Sequence, residues 1–184
     1  MRSSLGQRGL RGRRARVSRR RLSARVPLIA LIGDTHLPRG ARRLPQRCLR
    51  VLERADLILH VGDFTSLTFL EELQALGPVA GVHGNMDEPA VREAMPGRLV
   101  VESEDLRIGL VHDAGGRTVR EQRLQALFPD CSVLAYGHTH VPEVKRVGEK
   151  WILNPGSPTE RRRAPEHTMI VLAEGMPQLV SLDR

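Results

Sequence analysis

Aromatic side chains are scarce, with one Trp, one Tyr and three Phe in 184 residues. So few rings leave poor platforms for stacking the bases of a single strand, which argues against a nucleic-acid surface of that kind. Only two cysteines occur, Cys48 and Cys131, far apart and without metal-type spacing. Both read as small buried hydrophobes in a reducing, cytoplasmic setting. No apolar run approaches the ~18 residues that span a bilayer, and no apolar stretch follows the N-terminal arginines. Acidic residues are missing altogether from residues 1–25, which carry ten arginines. Without that segment the net charge falls from +8 to about −2, so the pI near 11 belongs to the tail and not to the body.

Gly-Arg repeats without apolar periodicity predict a disordered tail over 1–25 and one domain over 26–184. Three roles stay open for the tail. It could be a basic arm on nucleic acid or another anionic surface, a targeting peptide, or residues upstream of a true start near Val26.

The body begins with a continuous apolar run over 28–32, followed by others over 57–61 and 79–83. Continuous rather than alternating hydrophobicity predicts strands covered on both faces. Helices are expected between them: over 45–55 with Pro45 in the first turn, from a Ser66 cap through Leu67, Leu70, Leu73 and Leu76, and after an Asp87 cap with Pro89. Strands over 98–102 and 106–111 form a pair, a helix covers 119–128, and 132–136 is again a strand. Further strands cover 141–147, 151–154, 168–173 and 178–182, with a hairpin turn at Gly148-Glu149. This order predicts two packed sheets with helices outside.

Polar residues gather where these runs stop. Asp34-Thr35-His36 follows the first strand, Gly62-Asp63 the second and Gly84-Asn85-Met86-Asp87 the third. His112 closes a fifth, and Gly137-His138-Thr139-His140 ends another. Ligands collect at the carboxyl edge of such sheets. One Asp after a strand is ordinarily a turn residue, and a lone His such as His60, His83 or His167 is ordinarily packed or exposed. Five such sites at strand ends are a different matter. Two Asp, one Asn and four His with no thiolate form the ligand set of a two-metal hydrolase.

These motifs in this order, with the later Asn154-Pro155-Gly156-Ser157, resemble the calcineurin-like metallophosphoesterase superfamily, and within it the small YfcE-type phosphodiesterases. The resemblance spans about residues 27–183. It implies a four-layer α/β/β/α sandwich of two mixed sheets flanked by helices, the metallo-dependent phosphatase-like fold. It also implies Asp34, His36, Asp63 and His140 around one ion, and Asp63, Asn85, His112 and His138 around a second, with Asp63 bridging. Asn85 and His112 would stand against the reacting phosphate, and a hydroxide bridging the two divalent metals would attack phosphorus in line. Manganese is the expected ion, with nickel, iron, zinc, cobalt or magnesium compatible. The implied partner is a small phosphodiester, with no membrane; a homodimer and a nucleic-acid contact through the tail stay open. A non-catalytic protein-interaction scaffold is one alternative, as a retromer relative uses this fold that way after losing several of the histidines; a nuclease aided by the basic tail is the other.

Two departures from the family pattern matter. Met86 stands where many relatives carry a histidine that protonates the leaving group, and a thioether donates no proton. Asp113-Ala114 follows His112 in place of Gly-His, so Asp113 is expected either to support a ligand from behind, as Asp87 is, or to weaken binding of a highly charged phosphate.

Overall fold

The computed structural model describes the backbone of residues 14–16 together with residues 27–103 and 106–183. The expectation of a disordered arm over 1–25 falls outside the described residues, except for β1 (Arg14–Arg16), which runs parallel to β5 (Arg98–Ser103). Among the described residues no helix is long and apolar enough to cross a membrane.

The first three apolar runs become β2 (Ile29–Ile32), β3 (Leu57–His60) and β4 (Val79–Gly81), a parallel set in which Leu31 sits beside Leu59. Two antiparallel strands, β10 (Thr168–Ala173) and β11 (Met176–Ser181), extend this sheet on the β2 side. Its order is β11-β10-β2-β3-β4. The second sheet contains β5, β6 (Leu106–Val111), β7 (Val133–Tyr136), β8 (Glu143–Val147) and β9 (Lys150–Asn154), in the order β1-β5-β6-β7-β9-β8. Gly148 turns the antiparallel β8–β9 hairpin with a φ of 59°. The joint between β5 and β6 at 104–105 lies outside the described residues.

Period-two geometry explains why the apolar runs are continuous. Ile29 and Leu31 point into a core shared with Ile108, Leu110 and Val133 of the other sheet. Ala30 and Ile32 point the opposite way, against Cys48 and Leu52 of α1 (Gln46–Leu52) and Phe69, Leu70 and Leu73 of α2 (Leu67–Leu76). Val91 of α3 (Pro89–Ala94) joins this layer. On the far side Leu134, Tyr136 and Ile152 pack under Leu124 of α4 (Arg120–Leu127) and Phe128. The layers are therefore helix, sheet, sheet, helix, and β2, β3 and β7 are buried on both faces.

The helix starts follow local chemistry with two shifts. Ser66 caps α2 as expected, its Oγ accepting the Phe69 N–H at 3.2 Å. Pro45 is the N-cap residue of α1, one position ahead of the first turn. Glu88, not Asp87, occupies the N-cap of α3. Asp87 is drawn away by stronger partners, described below. Both cysteines are buried and unpaired.

Candidate metal centre

Parallel strands bring their carboxyl ends to one edge, and that edge carries the polar motifs. Asp34 and His36 leave β2, Asp63 leaves β3, Asn85 follows β4, His112 follows β6, and His138 and His140 follow β7. Five of the seven turn back through left-handed backbone, with φ of 53° at Asp34, 47° at His36, 59° at Asp63, 70° at His138 and 58° at His140. Such geometry costs an L-residue about 1–2 kcal/mol. It persists because the surroundings impose it. Asp34 N donates to Gly62 O at 2.9 Å, His36 N to Asp63 O at 3.0 Å, and His138 N to the Asp34 carboxylate at 3.0 Å.

All seven candidate ligands converge. One group of ligand atoms comes from Asp34, His36 and His140, another from Asp34, Asp63 and His112; within each, the atoms lie within 4.8 Å of one another. Asp34 is common to both, and Asp63 Oδ2 reaches either side, 3.7 Å from His36 Nε2 and 3.4 Å from His112 Nε2. Asn85 Oδ1 sits 3.1 Å from His112 Nε2 and 3.0 Å from His138 Nδ1, placing both residues with the second group. Asn85 and His138 are exposed whereas His36 and His140 are buried, so the site opens on the second group's side.

The donor set fits divalent ions on its own hydrogen bonding. His112 Nδ1 donates to Val61 O at 2.8 Å, which leaves the Nε2 lone pair facing Asp63 and Asn85. His140 Nδ1 likewise donates to Glu160 O, which leaves its Nε2 free at 3.2 Å from His36 Nε2. Backbone acceptors behind an imidazole fix the tautomer in this way at metal sites. Two facing imine nitrogens share at most one proton, and a cation between them resolves the mismatch.

Close approach dictates the glycines. A Cβ on Gly62, whose φ is 97°, would fall 2.7 Å from His112 Nδ1, and one on Gly84 would fall 2.6 Å from Asp63 N. Asp87 organises the same loops. Its carboxylate accepts from Asp63 N at 3.1 Å, Gly84 N at 2.7 Å and Thr65 N at 2.6 Å. It is thus a brace between two strand ends and not the cap of α3. Asp113 turns onto its own loop: it is exposed and accepts the Gly115 N–H at 2.7 Å. The support expected of it falls to other residues.

Further support comes from the Asn154–Ser157 motif that the sequence singles out and from Thr159, which carries no local signal. Asn154 Nδ2 donates to Gly137 O and Thr139 Oγ1, both at 3.1 Å. Ser157 Oγ donates to Asp34 O at 2.8 Å and Thr159 Oγ1 to Thr35 O at 2.5 Å, so the Asn154–Ser157 turn fastens the His138 and Asp34 loops together. His60 stays outside the cluster. Its Nδ1 accepts Gly62 N at 3.1 Å, so Nε2 carries the proton toward Thr35 Oγ1 at 3.1 Å. Burial holds it neutral, its pKa well below the ordinary imidazole value.

Charge at the site is tuned by burial and by neighbours. Burial pushes the Asp34 carboxyl up to about 7. Burial would also raise Asp63, but the adjacent His112, the Met86 N–H and His36 bring it down to about 2. His112 is raised, since Asp63 and Asp34 outweigh its burial, whereas burial lowers His140 to about 4. A consequence for pH follows from Asp34. Its folded value lies above the ordinary 3.8, so its contribution to ion-free stability is full below that value and is lost as pH rises through about 7. A divalent ion must displace that proton and the one on His112. Ion binding is therefore expected to release protons and to tighten as pH rises from 5.5 toward 7. Calorimetry in buffers of different ionisation enthalpy reads the count, and a pH-independent zero contradicts it.

A model of the calcineurin-like phosphoesterase superfamily domain matches residues 28–175. The chain is 38% identical over 150 residues to a probable metallophosphoesterase of Methanothermobacter thermautotrophicus, covering 80% of this chain and 87% of that protein. Wild-type Vps29 of Entamoeba histolytica, solved in complex with Zn2+, superimposes with a TM-score of 0.67 at 27% identity, covering 85% of this chain and 99% of that one. An archaeal phosphodiesterase superimposes with a TM-score of 0.67 at 23% identity over 84% of this chain and 99% of that one, a likeness of fold.

Proposed function

Because the chain belongs to the calcineurin-like phosphoesterase superfamily, we propose that it is a phosphodiesterase that uses two divalent ions, in a reducing, cytoplasmic setting. The observation that carries this reading is the pair of ligand groups sharing Asp34, with Asp63 facing both sides and imidazole lone pairs left free by backbone acceptors. Ions held there would neutralise phosphate charge and turn water into a nucleophile near neutral pH.

The chain's own residues account for the rest. Asp34, His36 and His140 form the buried floor, which excludes water. Asn85, His112 and His138 form the open side, where the ester enters and where the Asn85 amide, its Oδ1 turned to the imidazoles, keeps Nδ2 to donate toward a phosphate oxygen. Met86 contributes its backbone, whose N–H donates to Asp63 Oδ1 at 2.8 Å. Its side chain is 54% exposed at the mouth and offers no proton. Departure of the leaving group then depends on that group's own stability as an anion.

The test is hydrolysis of an aryl phosphodiester against an aryl monoester by the full chain with Mn2+, Ni2+, Zn2+ or Mg2+. Diester activity dependent on an added ion supports the reading. The likeness to Vps29, a vacuolar sorting protein, favours a second reading, a scaffold of the same fold. Inertness with every ion, together with an isolable protein partner, selects it.

A leaving-group series probes the missing acid. Rates should fall steeply as the leaving alcohol becomes more basic. Met86→His restores a donor at the mouth and is expected to raise kcat for alkyl diesters by roughly 10²-fold, the low end of the usual worth of general acid catalysis, while aryl diesters gain little. Equal gains for both would show that the histidine acts otherwise.

A further inference from the structure

The rim beyond His36 and His140 carries charges that ion binding does not use. Glu160 Oε2 lies 3.8 Å from His36 Nε2, accepts from Arg42 Nη1 at 3.0 Å, and has Arg39 Nη1 at 3.6 Å. Two guanidinium groups against the one carboxylate of Glu160 leave a surplus positive charge on this rim. A surface cavity of about 250 Å³ opens beside it, lined by Leu37, Pro38, Arg42, Arg43, Phe69 and Glu72.

Stability alone gives little reason for this arrangement. An exposed ion pair is worth about 0–1 kcal/mol, and one arginine would satisfy Glu160. Held by one oxygen, Arg42 keeps further N–H groups of its fork for another oxyanion, and the Arg39 side chain is 63% exposed. A guanidinium fork matches phosphate and carboxylate oxygens two at a time. Glu160 orients this rim as much as it neutralises it.

We propose that Arg39 and Arg42 form a subsite for a second anionic group of the substrate, so that the preferred esters carry a phosphate or carboxylate beyond the one at the ions. The reacting bond rests on the phosphodiesterase reading; the anion subsite does not need it.

The probe is a hydrolysis-resistant phosphonate-linked dinucleotide with a terminal phosphate, a terminal carboxylate or neither, bound to the full chain both stripped of ions and loaded with Mn2+. A terminal anion is expected to tighten binding by about tenfold in both states, the worth of one charge-assisted contact. The stronger of the phosphate and carboxylate arms identifies the natural group. In Arg39→Gln/Arg42→Gln the advantage is expected to fall below about twofold, and in Arg50→Gln, on exposed α1 surface, to persist. Arg39→Gln alone, on a side chain 63% exposed, provides the same reading should the double variant fold poorly. Equal binding with and without the terminal anion overturns the subsite, as does an advantage untouched by the arginine variants. If aryl diesters resist every ion while the advantage persists in the stripped protein, the phosphodiesterase reading fails and the subsite stands.

Discussion

Asp63→Asn is expected to lower kcat/KM for an aryl phosphodiester by at least ~10³-fold, beyond the ~10–100-fold that loss of a residue behind the ligands costs. The substitution keeps the shape of the side chain and an oxygen for the Met86 N–H, so the loop retains its path. What disappears is the negative charge between His36 and His112, at 3.7 and 3.4 Å. Without it, ions on either side would keep only Asp34 as a shared counter-charge, and at least one affinity is expected to collapse. The readout is therefore double: turnover at saturating Mn2+, and the rise in thermal midpoint that Mn2+ produces in the wild type. Unchanged turnover would remove Asp63 from the centre of the chemistry.

Asp87→Ala is expected to destabilise the fold by about 3–5 kcal/mol, since three backbone N–H groups lose their acceptor at about 1–3 kcal/mol each and partial relaxation recovers some of that. Those groups belong to Asp63, Thr65 and Gly84, on loops from two neighbouring strands. Asp87→Asn keeps one acceptor oxygen and should lose about half as much. Urea denaturation of the ion-free protein measures both. A loss below ~1 kcal/mol for the alanine variant, the size of an ordinary cap, would return Asp87 to a merely local role.

Asp87 also shows where sequence reasoning stops. Asp followed by Glu-Pro satisfies every local rule for a helix start, and α3 does begin at Pro89. The carboxylate nevertheless spends its lone pairs on Asp63 and Gly84, because burial makes unpaired N–H groups costlier than an uncapped helix of six residues. Strand ends were legible because two-face burial writes continuous apolar runs, and Asp34, Asp63 and His112 fall where those runs stop. Glu160 and Arg42 were not legible. They are 118 residues apart in stretches without periodicity, and only the packed loops bring them together. The hydroxyls of Ser157 and Thr159 reach across 123 and 124 residues in the same way.

The left-handed backbone at the ligands bears on how such a fold ages. Asp34, His36, Asp63, His138 and His140 each hold a conformation that glycine would adopt freely, and their side chains crowd mutually repelling groups into a buried floor. The hydrogen bonds of Asp34, His36 and His138 offset part of that cost, and a bound cation would offset the crowding of the side chains. A lineage released from catalysis would therefore gain stability by shedding its histidines, so drift from enzyme toward inert scaffold runs downhill for the fold. The reverse journey is uphill. A full complement of seven candidate ligands on strained backbone is accordingly what a fold kept for ion binding would be expected to carry.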